Sequence, residues 1–455
     1  MNSAELKEYR TKLYTDLYSN TIPDRVPIND GFGIEYFIKY SGDDLMVTQY
    51  SLTTEKLIAY MDKVREFAVG DVFNTGSPRN AIGSFFQKST QNVMSKSGFI
   101  QHPETSALSD EEFDEFMKAP YDYTQAYIRP RANRAYVEDP VLRCINFTRY
   151  LLASQDFNRT VGAANAAIAE KYGLFTVPAG TTGRNPVAFD NLSDMTRGFS
   201  QIVLDIKRCP QKVLDAIEAF MPYAIHMSNR SRAHILGANN IMTHMGPFLR
   251  QKEFDKFYMP TFNKICHISA QRGQASSIFL EHDWTRFVDE LSELPMGTRL
   301  YMEYGDPKLF KDKLGKKFVL GGFYPVTLLK NGTKQQCVDK AKELMDILAP
   351  GGNYFFRFDK SVLDTNDIEP ENYTAVMDYV LTHGKYDNAG QKVSDVDPET
   401  TIHRGYDKEY PEFKSKYVQS FEEFAEDYPI PDERVHDLIK AAYDKYTAQA
   451  IAMFQ

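Results

Sequence analysis

The chain has no run of about 18 uncharged apolar residues, the length a membrane helix needs, and its opening stretch MNSAELKEYRTKLYTDLY is charged from Glu5 onward. A membrane partner is therefore not expected, and the chain reads as cytoplasmic. Cysteine is scarce. Cys144, Cys209, Cys266 and Cys337 stand far apart with no C-x-x-C pair, which removes the usual zinc ribbon and dithiol motifs and leaves free thiols of a reducing compartment. Positive charge is never concentrated: 53 Lys+Arg face 62 Asp+Glu, a formal net charge of −9. Phosphate backbones need clustered cations, so a nucleic-acid partner is not expected. Linkers, low-complexity stretches and fixed-period repeats are also missing. A Gly-rich phosphate turn is lacking too, because Gly31-Phe32-Gly33 has no third glycine and no strand–helix context.

What is present argues for a folded enzyme-sized body. Of 455 residues, 42 % are hydrophobic and 25 % charged, the balance of an ordered soluble chain. Tyr (28) and Phe (31) far outnumber the single Trp, and their rigid rings suit a deep core or a pocket for a flat ligand. The first 130 residues read as an irregular cap, with helices near 4–19 and 53–68, an extended Arg25–Ile28 and a short Asp71–Phe73 strand. From about residue 140 amphipathic helices alternate with short apolar runs. The expected strands are 174–177, 234–237, 277–280, 299–302, 318–320 and 354–356. The expected helices between and beyond them are 140–169, 193–207, 211–229, 252–270, 284–293, 307–314, 334–348 and 370–383. Strand–helix alternation predicts an α/β chain with a parallel sheet and helices outside, a barrel in preference to a doubly wound open sheet. The barrel with its cap (1–130) is expected to span 1–385. A C-terminal helical extension, 386–455, ends in a helix at 431–452 that reads as a docking or dimerisation helix, so a homodimer is one expectation.

In such a barrel the chemistry sits at the carboxyl ends of strands. Glu281, His282 and Asp283 follow Phe279-Leu280, Glu303 and Asp306 follow Tyr301-Met302, and Gly321-Gly322 follow Val319-Leu320. Asn239, Asn240 and His244 follow the 234–237 run, and Arg357 and Asp359 follow Phe355-Phe356. Acids gathered there would either ligate a divalent metal with an imidazole or supply a general acid, since neighbouring carboxylates raise one another's pKa. Asp283, before Trp284, and Asp306, before Pro307, equally read as helix N-caps.

The segment FVLGGFYPVTLLKNGTKQQCVDKAKELMDILAPGGNYFF, followed by IEPENYTAVMDYVLTHGKY, resembles the C-terminal half of the uroporphyrinogen decarboxylase superfamily. The elements that carry the likeness are Gly321-Gly322, the Leu329–Thr333 turn, Gly351-Gly352 and Pro370-Glu371-Asn372; FDKFYMPTFNKI and IFLEHDW extend it over roughly residues 20–385, and the fold it implies is an α/β (β/α)8 TIM barrel. True decarboxylases of that superfamily carry an arginine-bearing segment where this chain has Asn29-Asp30-Gly31-Phe32-Gly33-Ile34-Glu35-Tyr36. Its thiol-methylating members use a His-x-Cys pair where this chain has Glu281-His282-Asp283. The likeness therefore points to the corrinoid-dependent methyltransferases of O-demethylase systems. It implies transfer of a methyl group from an aryl methyl ether to the Co(I) of a corrinoid (cobalamin) protein partner, with zinc as cofactor. Glu281, Glu303 and His282 are the expected metal ligands, and the same three with Asp306 the catalytic groups. Phe32, Asn239, His244, Gly322, Phe323 and Tyr324 are the expected substrate contacts. A decarboxylase, or a barrel that binds a ligand without turning it over, are the alternatives.

Overall fold

The computed structural model describes residues 1–76, 78–397, 408–426, 428 and 430–454. Five short segments pair in chain order into one parallel sheet: β1 (Thr182–Arg184), β2 (Ala238–Thr243), β3 (Ser276–Asp283), β4 (Arg299–Tyr304) and β5 (Val319–Gly322). Parallel neighbours require crossovers, which the helices Pro210–Ser228, Met259–Gln271, Val288–Leu291 and Pro307–Leu314 supply. Single bridges extend the sheet from Leu320 to Tyr354, from Phe356 to Ile28 and from Asn29 to Val72. Eight extended segments thus follow one another around the sheet. Among the described residues no ladder joins Val72 to β1, so the expected barrel appears as an order of strands without a closed ring of pairing; the N–H of Phe175 donates to Asp71 C=O at 3.0 Å on that side.

Alternation along the strands divides two environments. Ile241, Ile278, Leu280, Leu300, Met302 and Leu320 are buried beneath the helices. The opposite face carries Met242, Phe279, Tyr301 and Gly321, placed in one layer by the register Met242–Phe279–Tyr301–Gly321. This inner face is open, for Met242 is 51 % exposed. A smaller core of Tyr14, Leu17, Phe175, Leu236, Val319 and Phe355 packs apart from the main one.

Several elements differ from expectation. The apolar 174–177 run makes no strand ladder; Phe175 is instead buried with its ring stacked on Tyr14 at 4.3 Å. The polar Thr182–Arg184 takes the sheet position, where a side chain on Gly183 would meet Asn239 and Ser231, so only glycine permits the approach. Residues 234–237 form a turn, closed by Gly237 N–H to His234 C=O at 2.9 Å, and the strand begins at Ala238. The helix expected at 284–293 is shorter, a 3-10 turn Thr285–Phe287 followed by Val288–Leu291. Helices with caps written in the sequence stand where expected: Asp306 caps Pro307–Leu314, Thr333 and Gln336 form a capping box on Lys334–Leu348, and Pro370 opens Pro370–His383.

The long helix Pro140–Tyr172 runs from an Asp139 cap to Gly173, a left-handed terminus at φ 58°. The C-terminal helix His436–Met453 follows, and beyond it Phe454 stacks on Phe147 at 4.5 Å and accepts a hydrogen bond from Gln125 at 2.8 Å. No helix among the described residues is long and apolar enough to cross a membrane.

Candidate functional site

β2 ends at Thr243, which places His244 at the carboxyl edge of the sheet, beside Glu281 on the inner face of β3. Nδ1 of His244 lies 2.7 Å from Oε2 of Glu281. The turn beyond β2 is anchored from below by buried Asp190, which accepts from Met245 N–H (2.9 Å), Tyr258 hydroxyl (2.6 Å) and, more distantly, His244 N–H (3.4 Å). Asp194, in the wide-turned helical segment Asn191–Arg197, brings Oδ2 to 3.9 Å from Nε2 of His244. The hydrogen bond to Glu281, with Asp194 and Asp190 adding negative potential, outweighs burial and lifts the His244 pKa to about 9. Glu281 is lowered in turn, chiefly by the same hydrogen bond. Burial pushes Asp190 up to about 7, helped by the charge of Asp194. At neutral pH the imidazole is therefore a held imidazolium. Its Nδ1–H is committed to Glu281, and Nε2–H is the proton that a ligand would meet.

Glu303, on the neighbouring strand, has different company. It is buried; Oε2 accepts the backbone N–H of His282 at 2.7 Å and Oε1 pairs with Lys360 Nζ at 2.5 Å. His282 sits where the β3–β4 register shifts between Leu280 and Asp283, with φ at +63°, and its ring meets Phe248 edge-on at 5.1 Å. Lys360 also lowers Glu281 through space, so the two glutamates share one electrostatic neighbourhood although each has its own partner. The single tryptophan fixes the backbone between them: Trp284 Nε1 donates to Glu281 C=O at 2.8 Å.

The remaining expected positions have structural engagements. Asp306 accepts from Lys308 and Leu309 N–H as an N-cap, and Asp283 accepts from Thr285 N–H. Phe32 is buried against Tyr36, Phe67, Phe73 and Tyr373. Asn239 is enclosed in a network with Asn185, Ser228, Ser231 and Ser269. Tyr324 is buried and donates to Cys337 C=O at 2.9 Å. Gly322 adopts φ +91° with its α-carbon tight against the backbone of Met302, and Phe323 packs edge-on against Phe310 at 5.5 Å. Of the expected contacts, His244 is the one that joins Glu281.

Below the pair lies a flat floor. Tyr301 stacks on Phe279 at 4.9 Å with its hydroxyl 3.9 Å from Met242 Sδ, and the Arg357 guanidinium stands 4.4 Å above the Tyr301 ring. Phe279 is two residues before Glu281 on the same face, a step of roughly 6–7 Å. Among the described residues Arg357 forms no ion pair. Phe248 and Phe199, edge to face at 5.1 Å, are half exposed at the mouth. Asp190, Asp194 and Lys360 are not among the residues expected from the sequence, whereas Arg357 is one of the polar residues that follow the 354–356 run. The i, i+4 spacing of Asp190 and Asp194 is the signal available for those two; Lys360 is brought in by tertiary approach alone.

Among the described residues, no three His, Cys, Asp or Glu stand grouped around one point as a metal site. Glu303 has both oxygens engaged by Lys360 and His282, and the His282 ring turns to Phe248, so Glu281, Glu303 and His282 do not present a common donor point. His244 does meet two acids, but Glu281 lies at Nδ1 and Asp194 at Nε2, on opposite edges of the ring, so these three share no donor point either.

No family model matches the chain, and no curated protein matches it by sequence. Among solved structures it is similar to a methyltransferase from Methanosarcina mazei, with 13 % identity over 82 % of this chain and 98 % of that one, at a TM-score of 0.51. At that identity the likeness is one of fold.

Proposed function

We propose that the protein is a methyltransferase that moves a methyl group from an aryl methyl ether to the Co(I) of a corrinoid carried by a partner protein, on an eight-stranded barrel left unpaired at one seam. The observation that carries this reading is the His244–Glu281 pair, a protonated imidazole held at the open end of the inner face above an aromatic floor. A phenolate is a poor leaving group and needs a proton or a Lewis acid as its C–O bond breaks. Co(I) is the nucleophile, so the chain needs no nucleophile of its own. His244 supplies the proton from Nε2 to the ether oxygen, and Glu281 steadies the imidazolium through Nδ1. Glu303 acts at a distance, holding the His282 amide and Lys360 so that the β3 edge keeps its shape. Phe279 and Tyr301 offer a stacking surface for the ring, and Arg357 offers a cation to a carboxylate on it. Zinc, which the resemblance implies, does not fit these residues as they stand, since Glu281 and Asp194 lie at opposite nitrogens of the His244 ring; the proton of His244 takes the place of a Lewis acid. Similarity of fold to the Methanosarcina mazei methyltransferase supports the reaction class.

The test is direct. Purified protein is mixed with a methoxybenzoate and a reduced corrinoid protein, with and without zinc, and cobalt methylation is followed in the visible spectrum. Wild type is expected to methylate cobalt, and His244→Gln to lose at least 100-fold, on the order of a lost general acid. No methylation across a panel of methoxylated aromatics would end this reading.

A further inference from the structure

The opposite end of the sheet contains a second, unrelated feature. Arg299 opens β4, four residues before Glu303 and so roughly 13 Å from it along the strand. It is 6 % exposed. Its guanidinium lies 3.4 Å over the Tyr18 ring, one terminal nitrogen donates to Ile235 C=O at 2.7 Å, the other reaches Leu236 C=O at 3.5 Å, and Nε is buried with no hydrogen-bond partner. No carboxylate pairs with it among the described residues. A buried cation without a counter-charge is costly, and cation–π contact with one tyrosine offsets little of that cost.

Arg299 borders a cavity of about 270 Å³ formed where the N-terminal helix meets the starts of the strands. Tyr18, Ser19, His234, Lys317 and Asn353 line it as well, and none of the described lining residues is Asp or Glu. Lys317 uses one donor on Ser292 C=O at 2.6 Å and keeps two. The Nδ1 of His234 accepts from Leu236 N–H at 3.0 Å, which puts the ring proton on Nε2 as a further donor. The volume matches about nine waters at roughly 30 Å³ each, room for an oxyanion with a small organic body. Burial draws the Lys317 pKa down to about 8, with Glu293 the acid that opposes it, the response of a cation short of counter-charge.

We propose that this cavity is a binding site for a small oxyanion, a free phosphate or the phosphate or carboxylate group of a metabolite, with Arg299 and Lys317 as its cations. No residue of the His244–Glu281 site takes part, so the cavity stands or falls independently of methyl transfer.

Calorimetric titration of the full-length protein at low ionic strength, with inorganic phosphate and separately with acetate, tests it. Saturable binding of at least one anion is expected, weakened at least tenfold in Lys317→Met and in Arg299→Met and unchanged in Lys342→Met, a surface control. Phosphate binding alone would identify a phosphate-bearing ligand, and acetate binding a carboxylate. Should Arg299→Met not fold, Arg299→Lys and Lys317→Met carry the comparison. No saturable heat with either anion, or equal affinity in Lys317→Met and Lys342→Met, would overturn the proposal.

Discussion

At the scale of single residues the site turns on which nitrogen of His244 is free and when it is protonated. Its pKa is raised to about 9 mainly by Glu281, whose own pKa is lowered, so the pair is charged across the neutral range. For His244, with the folded value above the ordinary 6.5, the stabilisation is full below 6.5 and fades as pH rises through about 9. For Glu281 it is present above its ordinary 4.5 and fades as pH falls through its lowered value. The His244 side chain is 43 % exposed, so screening keeps the pair's effect on stability at or below about 1 kcal/mol. The effect on protonation is the more telling one. Methyl transfer by wild type is expected to hold level through neutral pH and to decline as pH passes about 9. In Glu281→Gln the decline should move down towards the ordinary histidine range, stopping above it because Asp194 and Asp190 still act. A pH–rate profile for both proteins, with the imidazole titration followed by NMR, checks this; an unmoved alkaline limb in the variant would mean that Glu281 does not hold the imidazolium.

Among the elements, β3 carries the local strain. Its register against β4 slips between Leu280 and Asp283, and His282 takes a left-handed backbone at φ +63° to let its amide reach Glu303. A side chain in that region costs roughly 1–2 kcal/mol, more for a β-branched residue. His282→Gly is therefore expected to leave the melting temperature unchanged or slightly raised, and His282→Val to lower stability by about 1–2 kcal/mol; thermal melts of the two variants decide it, and a Gly variant as damaged as the Val one would show that the ring, not the backbone, matters. The bulge is not legible in the sequence, whereas much around it is. Helices are readable wherever their caps are written in the chain, as Thr333 with Gln336, Asp306-Pro307 and Pro370 are. Strands are readable where one face is buried, as in Ile278-Phe279-Leu280. They escape where the inner face opens to solvent: Ala238–Thr243 exposes Asn240 and Met242, so the apolar signal falls on the 234–236 turn before it. Glu281 and Glu303 can be singled out because an acid directly after buried apolar residues is conspicuous. Lys360 and Asp190 cannot, because their meeting with those strands depends on crossings that leave no local pattern.

For the whole molecule the decisive feature is the seam. Pairing runs from Val72 through Ile28, Phe356 and Leu320 to β1, and no described ladder returns from β1 to Val72. On the open side Phe175 N–H bonds Asp71 C=O, while on the paired side Asn185 N–H bonds Asn240 C=O at 3.0 Å and the Asn185 side chain reaches Ser269 and Ser276. A central strand loses its hydrogen bonds only when neighbours on both sides part, while an edge strand is released by one. Amide hydrogen exchange should therefore be slowest in Ser276–Asp283 and Arg299–Tyr304, which are paired on both sides, and markedly faster in Thr182–Arg184. Arg184 at this edge lines a separate hollow with Tyr121, Phe220, Tyr223 and Phe454. Equal protection of all five strands in the free protein would mean that the ring is closed by pairing.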